Sequence, residues 1–436
     1  MPKWQKRGAR GPGAGHFLIL TNIPAQGRLV VEYLTTQKAS LSLRIALGGR
    51  TLAKVQKIAE NNGKWEAVYV DVSEEDSVLS AVEKSRVVMS LAGPWWAHGS
   101  TVVRACALYG VHYVDITGES HWVAKIIEDY DYLAHKNGAC IIPCAGFDSI
   151  PSDLATYLSI KTLEKRVSGS GPLSIKSSGA HRWKFPGFSG GSIATVRSRF
   201  EEVPFEKRNA GYGWRLSPVP APPGFSRLPK FLYTLPHIRP PVYGGFFMMA
   251  PVNEPIVRRS WGLRELQRRE QAIKASVSPW PAPTFSYEEF MATSNWVSGI
   301  LHSLTVFASS LALALSGPVA RWAMEKFFPA RGQGPPRDKL EQGWFELTNV
   351  SEAEGVVVKS TIRGNGDPAY YLTAWMVTEC AILLLDESNL TELGRKGGIL
   401  TATTAFGDRL APALEATGKF ETSSEVLVRE EARKGR

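Results

Sequence analysis

Three short segments of the chain carry the residue types from which a proton-transfer site is built. They are Leu91-Ala-Gly-Pro-Trp-Trp-Ala-His-Gly99, Tyr113-Val-Asp-Ile-Thr-Gly-Glu119 and Ala145-Gly-Phe-Asp-Ser-Ile-Pro-Ser-Asp153. Each follows a strand-like run and opens onto a helix-like run, which is where the ligand side of a doubly wound sheet is built. They supply Tyr113, Glu119 and Asp148 as candidate proton donors, with His112 and His121 beside them. Glu119 and Asp148 equally suit buried acids that accept backbone amides, and His121 equally suits a packing role at a helix start. Ser149 reads as a helix cap and Pro151 as an early helical proline. No hydrolytic triad, paired metal-ligand spacing or nucleophile elbow occurs in the sequence.

The elements needed to position these residues are legible. His16-Phe-Leu-Ile-Leu20, Leu43-Arg-Ile-Ala-Leu47, Trp65-Glu-Ala-Val-Tyr-Val-Asp71, Val87-Val-Met-Ser-Leu91, Tyr113-Val-Asp-Ile116 and Gly138-Ala-Cys-Ile-Ile-Pro143 read as six strands. Helical patterns separate them, at Gly27–Leu34, Leu52–Asn61, after a Ser73 cap, at Thr101–Tyr109 and at Glu119–Asn137. Repeated βα units of this length predict an α/β fold, a doubly wound parallel sheet of Rossmann type. It spans residues 16–160, after a basic tail with Gly and Pro at 1–15. Residues 161–366 change pattern to an α+β second domain. There, Trp344–Val350 and Gly355–Ile362 flank an acidic turn and predict a hairpin. Residues 367–436 predict C-terminal helices returning to the first domain, beginning with Tyr371–Leu385.

A dinucleotide site in such a sheet calls for glycines after the first strand, so that the backbone can approach a pyrophosphate at a helix N-terminus. The loop here is Thr21-Asn-Ile-Pro-Ala-Gln-Gly27, in which only Gly27 holds a glycine position. It reads either as a plain strand-to-helix turn or as an altered loop with Asn22 and Gln26 as polar substitutes. The second strand ends in Gly-Gly-Arg50-Thr51 with no acid for a ribose 2′-hydroxyl. Arg50 reads either as a surface arginine in a turn or as the partner of a 2′-phosphate, which selects NADP rather than NAD. Asp71 lies where it faces adenine or caps the next helix, and Ala92-Gly93-Pro94 lies beside the nicotinamide ribose. The expected cofactor set is therefore Asn22, Gly27, Arg50, Thr51, Asp71, Ala92, Gly93 and Pro94.

At 436 residues, two domains are expected. A formal net charge of +10 favours anionic partners, but the basic tails hold a single aromatic, Trp4, and do not form the aromatic platform expected for nucleic acid. Four cysteines (Cys106, Cys140, Cys144, Cys380) without paired spacing suit a reduced, intracellular chain. Ser294–Ala320 contains no charged residue. It reads as a helix lying on a lipid surface, as one buried in the second domain, or as a span, with Arg321, Lys326 and Arg331 following. The expected location is cytoplasmic or peripheral on a membrane or lipid droplet. Aromatics at Trp95, Trp96, Phe246 and Phe247 suit an apolar small-molecule or acyl substrate.

Together, these residues resemble the saccharopine dehydrogenase-like oxidoreductases, which include the trans-acting enoyl reductases. The resemblance rests on Gly27-Arg-Leu-Val-Val-Glu-Tyr-Leu34, Gly49-Arg-Thr51, Leu91-Ala-Gly-Pro94 with Gly99, Gly110–Glu119 with Trp122, and Gly146-Phe-Asp-Ser-Ile-Pro-Ser-Asp153. It continues through Ser189-Gly-Gly-Ser-Ile-Ala-Thr195, Gly332–Pro336 with Gly343-Trp-Phe345, Gly366-Asp-Pro368 with Tyr371, Thr373, Met376 and Glu379, and Gly397–Thr401. It implies a Rossmann-type domain carrying an inserted α+β domain, NADP-dependent hydride chemistry and, by analogy, a homodimer. The chain departs from the family's pattern in the loop Thr21–Gln26, and in Ala145, where the family has Cys. A catalytically inactive protein that keeps the fold without the cofactor, attached to a membrane or lipid droplet, is the alternative reading.

Overall fold

The computed structural model describes residues 16–21, 25–36, 43–62, 65–167, 173–187, 190–223, 225, 228–275, 284–315, 317 and 334–429. The basic tail 1–15 and Asn22 therefore lie outside the described residues. The first sheet is built from β1 (His16–Leu20), β2 (Ile45–Gly49), β3 (Glu66–Tyr69), β4 (Ser85–Ser90), β5 (His112–Asp115) and β6 (Cys140–Ile142). Phe17 to Leu20 of β1 are each at most 2% exposed. A strand covered on both faces must be apolar at consecutive positions, not alternate ones. The intervening helices are α1 (Ala25–Thr36), α2 (Leu52–Asn61), α3 (Glu75–Glu83), α4 (Trp95–Tyr109), α5 (Ser120–Asn137) and, after β6, α6 (Ile150–Arg166).

The second sheet contains β7 (Ile175–Lys184), β8 (Tyr233–Leu235), β9 (Val242–Phe246), β10 (Phe285–Ala292), β11 (Trp344–Ala353) and β12 (Val356–Asn365). β7 and β10 are parallel, and their other pairings antiparallel. The predicted hairpin is β11–β12, closed by Glu354 and Gly355 at φ 48° and 74°. Two left-handed residues give the turn a twist that matches the flanking strands. The longer helices described in this domain are α7 (Gly190–Glu201), α8 (Ala250–Lys274) and α9 (Trp296–Leu315), with a short helix at Arg337–Glu341.

The tail of the chain serves both sheets. β13 (Gly398–Ile399) adds to β6, giving the all-parallel order β13-β6-β5-β4-β1-β2-β3. β14 (Phe420–Arg429) adds to β12, giving β14-β12-β11-β7-β10-β9-β8. Residues 367–436 are thus not only helices returning to the first domain: their last strand closes the edge of the second sheet. Strand order in the first sheet reverses between β1 and β4, which opens a crevice above their carboxyl ends.

Helix starts shift for local reasons. α4 begins at Trp95, six residues ahead of the sequence expectation, because Pro94 presets φ at −66° and a carboxylate from another loop takes the first amides. The expected helix Tyr371–Leu385 is a π turn, Pro368–Leu372, followed by a helix Thr373–Leu383. Asp367 opens it by accepting the amides of Tyr370 at 2.7 Å and Tyr371 at 3.2 Å. Ser73 does not cap α3; its amide instead donates to Asp71. Ser149 occupies the cap position of α6, but its hydroxyl turns back onto the Asp148 carbonyl, while Pro151 stands in the first turn as expected. All four cysteines are free and buried.

Candidate active site

The loops after β4, β5 and β6 meet at the carboxyl edge of the first sheet and sort the sequence-predicted proton donors. Tyr113 is fully buried on β5, and its hydroxyl donates to Asp115 Oδ2 at 2.9 Å. Burial, then the Asp115 carboxylate, pushes the phenol well above its ordinary value. Asp115 Oδ1 also accepts the amides of Thr117 at 2.9 Å and Cys144 at 3.0 Å. Tyr113 therefore belongs to a clamp that holds two loops together, and its place inside the sheet removes it from the donors. His112 is likewise engaged, accepting the Cys140 amide at Nδ1.

Glu119 acts at a helix end. Its two oxygens accept the amides of Trp95 at 2.9 Å and Trp96 at 2.8 Å, the first turn of α4. A carboxylate there satisfies donors that no residue of the helix can reach, and meets the positive end of the helix dipole. Burial raises its pKa to about 7 despite those two bonds. Changing Glu119 to Ala leaves two buried amides unpaired and is expected to destabilise the fold by about 2–4 kcal/mol. Urea denaturation measures this, and Glu119→Gln, which keeps one acceptor, should recover part of the loss. His121 is buried between Arg199, 3.4 Å from Nδ1, and Trp96, 5.4 Å away between ring centroids. Burial and then Arg199 push its pKa down to about 4, so it is neutral near pH 7.

Asp148 differs from the others. Its half-buried side chain lies in the turn between β6 and α6 and makes no hydrogen bond among the described residues. A Cβ at position 118 would lie 3.1 Å from Asp148 Oδ2, so Gly118 makes the space the carboxyl occupies. Burial pushes its pKa up to about 7. A carboxyl that is protonated near neutrality, and not committed to a structural partner, can deliver a proton.

Next to Asp148 in sequence, Phe147 starts a wall of aromatics contributed by the second domain, buried in the core except at the half-buried Trp183 and Phe185. Its ring lies 5.5 Å from Trp183 and 5.0 Å from Phe345. Trp183 stacks on Phe185 at 5.4 Å and meets Phe247 edge-on at 5.3 Å. Behind the wall, His181 stacks on Phe247 and pairs with Glu289 at 3.0 Å. Glu289 also accepts from Ser152, Tyr287 and Asn253 at 2.6, 2.8 and 2.7 Å. Burial opposes its charge, but His181 and these donors outweigh it and lower the pKa. Of the aromatics expected around the substrate, Phe247 joins this wall, Trp95 is buried on α4, and Phe246 points to the other side of β9 to meet α9. Trp183, Phe185, His181 and Glu289 are not apparent from sequence; their only signal is the alternation of inward positions on β7 and β10.

The cofactor positions divide in the same way. Arg50 and Thr51 are exposed at the end of β2; Arg50 forms no ion pair among the described residues, and the Thr51 side chain does not cap α2. An exposed guanidinium and hydroxyl at a strand end fit a 2′-phosphate. Ala92, Gly93 and Pro94 form the cis-Pro turn between β4 and α4, with the Leu91 amide tied to Leu20. Asp71 accepts the Ser73 amide at 2.9 Å in the turn before α3 and does not cap that helix. Gly27 is buried in the first turn of α1. Gln26 is not free to replace a missing loop donor, because its amide donates to the Tyr370 carbonyl at 2.9 Å. A groove of about 370 Å³ between α1 and α2 is lined by Thr21, Gly27, Val31, Leu47, Val55 and Ile58. The C-terminal segment braces this region: Thr373 accepts the Phe147 amide at 3.0 Å, and Tyr33 on α1 donates to Glu379 at 2.6 Å.

Comparison with known proteins agrees with this arrangement. Residues 25–142 match the family model described as the saccharopine dehydrogenase NADP binding domain. A trans-acting enoyl reductase of Mycobacterium bovis (strain BCG) is 30% identical over 425 residues, covering 90% of this chain and 93% of the relative. One from Mycobacterium ulcerans is 29% identical over 421 residues with the same coverage. The apo saccharopine dehydrogenase (L-Glu forming) of Saccharomyces cerevisiae shares 13% identity at a TM-score of 0.48, over 95% of this chain and 100% of that one. With a parallel sheet of this order, and 30% identity to the Mycobacterium bovis enzyme over 90% of the chain and 93% of that relative, the chain belongs to the trans-acting enoyl reductase family of saccharopine dehydrogenase-like, NADP-binding oxidoreductases.

Proposed function

We propose that the protein is an NADP-dependent reductase of a carbon–carbon double bond in an apolar, acyl-type substrate. The observation that carries this reading is Asp148: an uncommitted carboxyl whose pKa burial raises to about 7, beside Gly118 in the turn after β6, at the ligand edge of an NADP-type sheet. Arg50 and Thr51 hold the 2′-phosphate, and the Ala92–Pro94 turn borders the nicotinamide ribose. NADPH, when bound, supplies a hydride to one carbon of the substrate. Asp148 delivers the proton that completes the reduction, and the half-buried Trp183 and Phe185 border the acyl chain.

Fluorescence titration of the purified protein with NADPH and NADH tests the cofactor assignment. Saturable NADPH binding is expected. Replacing Arg50 with Ala should weaken NADPH by about 10- to 100-fold, the value of a charge-assisted contact, and leave NADH little changed. The commitment of Gln26 to Tyr370 favours a second reading, a silent scaffold that has lost the cofactor. Absence of NADPH binding, restored by a glycine-rich loop in place of Thr21–Gln26, would establish that reading instead.

A further inference from the structure

We propose that the outer face of α9 docks the protein flat on an anionic phospholipid surface, independently of its chemistry. No Asp, Glu, Lys or Arg occurs between Ser294 and Ala320. The inner side of α9 is fixed against β9. A Cβ at Gly245 would stand 2.4 Å from the Gly299 carbonyl, so only glycine allows this approach. Ser303 accepts the Phe246 amide at 2.8 Å and donates to the Phe231 carbonyl at 2.7 Å. Phe307 packs on Phe231 at 5.3 Å and on Phe246 at 5.0 Å.

That attachment leaves a defined stripe facing outward. Val297, Leu301, Leu304 and Leu311 are 44%, 58%, 47% and 59% exposed, and the exposed Ala308 completes a four-three-four-three spacing along one side of the helix. Trp296, 54% exposed, stands at its start, where a lipid interface favours an aromatic ring. The hydroxyls of Thr305 and Ser310 donate to Leu301 and Val306 carbonyls of their own helix, at 2.9 and 2.8 Å. These two donors would therefore remain satisfied away from water. No described helix is long and apolar enough to cross a membrane, and the proposal lays α9 along the surface.

A second copy of the chain is the other conceivable cover, and the available area disfavours it. A helix of this length is about 30 Å long and presents a face about 10 Å wide, roughly 300 Å². A stable pair needs about 800 Å² from each partner. A lipid surface imposes no such minimum, and binding to it grows with the apolar area inserted and with opposite charge. The net charge of +10 supplies the second factor, and Arg321, Lys326 and Arg331 follow α9 in sequence against one acid, Glu325.

Co-sedimentation of the full-length protein with phosphatidylcholine vesicles, with and without phosphatidylserine, tests this. The wild type should pellet with the vesicles, more completely with phosphatidylserine. The double variant Leu301→Asp/Leu304→Asp should lose more than about tenfold in partition coefficient. Tyr132→Asp, an exposed change on α5, should bind like the wild type. Because both leucines are exposed, the melting temperature should hold; if it falls, the milder Leu311→Ser replaces the double variant and must still weaken binding. A wild type that stays in the supernatant overturns the proposal, as does a folded variant that binds equally well. A dimer by sedimentation velocity that the double variant splits, without vesicle binding, assigns the stripe to a second copy instead.

Discussion

Asp148→Asn is expected to lower NADPH-dependent reduction by about 100- to 1,000-fold, the range over which a positioned acid contributes. The amide fills the same space beside Gly118 but has no acidic proton to give, so NADPH affinity and the fold should be retained. The wild type's pH profile carries the same signature. Its carboxyl must be protonated to act, and burial raises its pKa from 3.8 to about 7. Activity should therefore be level at acid pH and fall as pH rises through about 7. Stability follows the same sign. The folded state holds the proton more tightly than the unfolded chain, so this group's contribution is full below pH 3.8 and is lost as pH rises towards 7. The Asn variant should lose that part of the pH dependence in urea denaturation at pH 5 and pH 8. A variant that still turns over at the wild-type rate would remove Asp148 from the chemistry without touching the Arg50 assignment, which is read from binding alone.

The second large effect concerns the joint between the domains. Arg259 on α8 is 2% exposed, and its guanidinium donates to the carbonyls of Ile399 in β13 and Leu216 in the connection between α7 and β8. It also lies 3.4 Å from Asp131 on α5. Burial lowers its pKa to about 10, which still leaves it charged at neutral pH. One side chain thus joins the second domain's long helix to the edge strand of the first sheet. Arg259→Met keeps the packed volume but leaves both carbonyls without a donor, at an expected cost of about 3–5 kcal/mol. A lower midpoint in guanidinium denaturation, read by tryptophan fluorescence, measures it. Arg259→Lys can reach only some of these acceptors and should recover only part of the loss. An unchanged midpoint in the Met variant would show that the joint does not depend on this residue.

Several features followed from local pattern. The unbroken apolar run of β1 announced a strand buried on both faces, and the acidic turn at Glu354-Gly355 announced a hairpin. Arg50 and Thr51 stand exposed at the end of β2, where their place in the sequence put them. In each case the decisive physics lies within a few neighbouring residues: side-chain period, a turn's φ, or the charge at a strand end. Glu119, Tyr113 and Asp148 could not be told apart in this way, because all three stand at the ends of strands and carry acidic groups.

What separated them was contact between distant parts of the chain. Glu119 caps α4 across 24 residues, Tyr113 is shut in beneath two loops, and Asp148 remains free because Gly118 makes room for it. The same holds for β14, whose polar alternation acquires meaning only beside β12, and for Gln26, held by a carbonyl 344 residues away. The sequence by itself determined the fold class, the cofactor type and the charge-free character of α9. Which acid is free, which aromatics form the wall and which side of α9 faces outward were decided by the tertiary structure. Burial and hydrogen-bond satisfaction are properties of the assembled neighbourhood and are absent from any single segment.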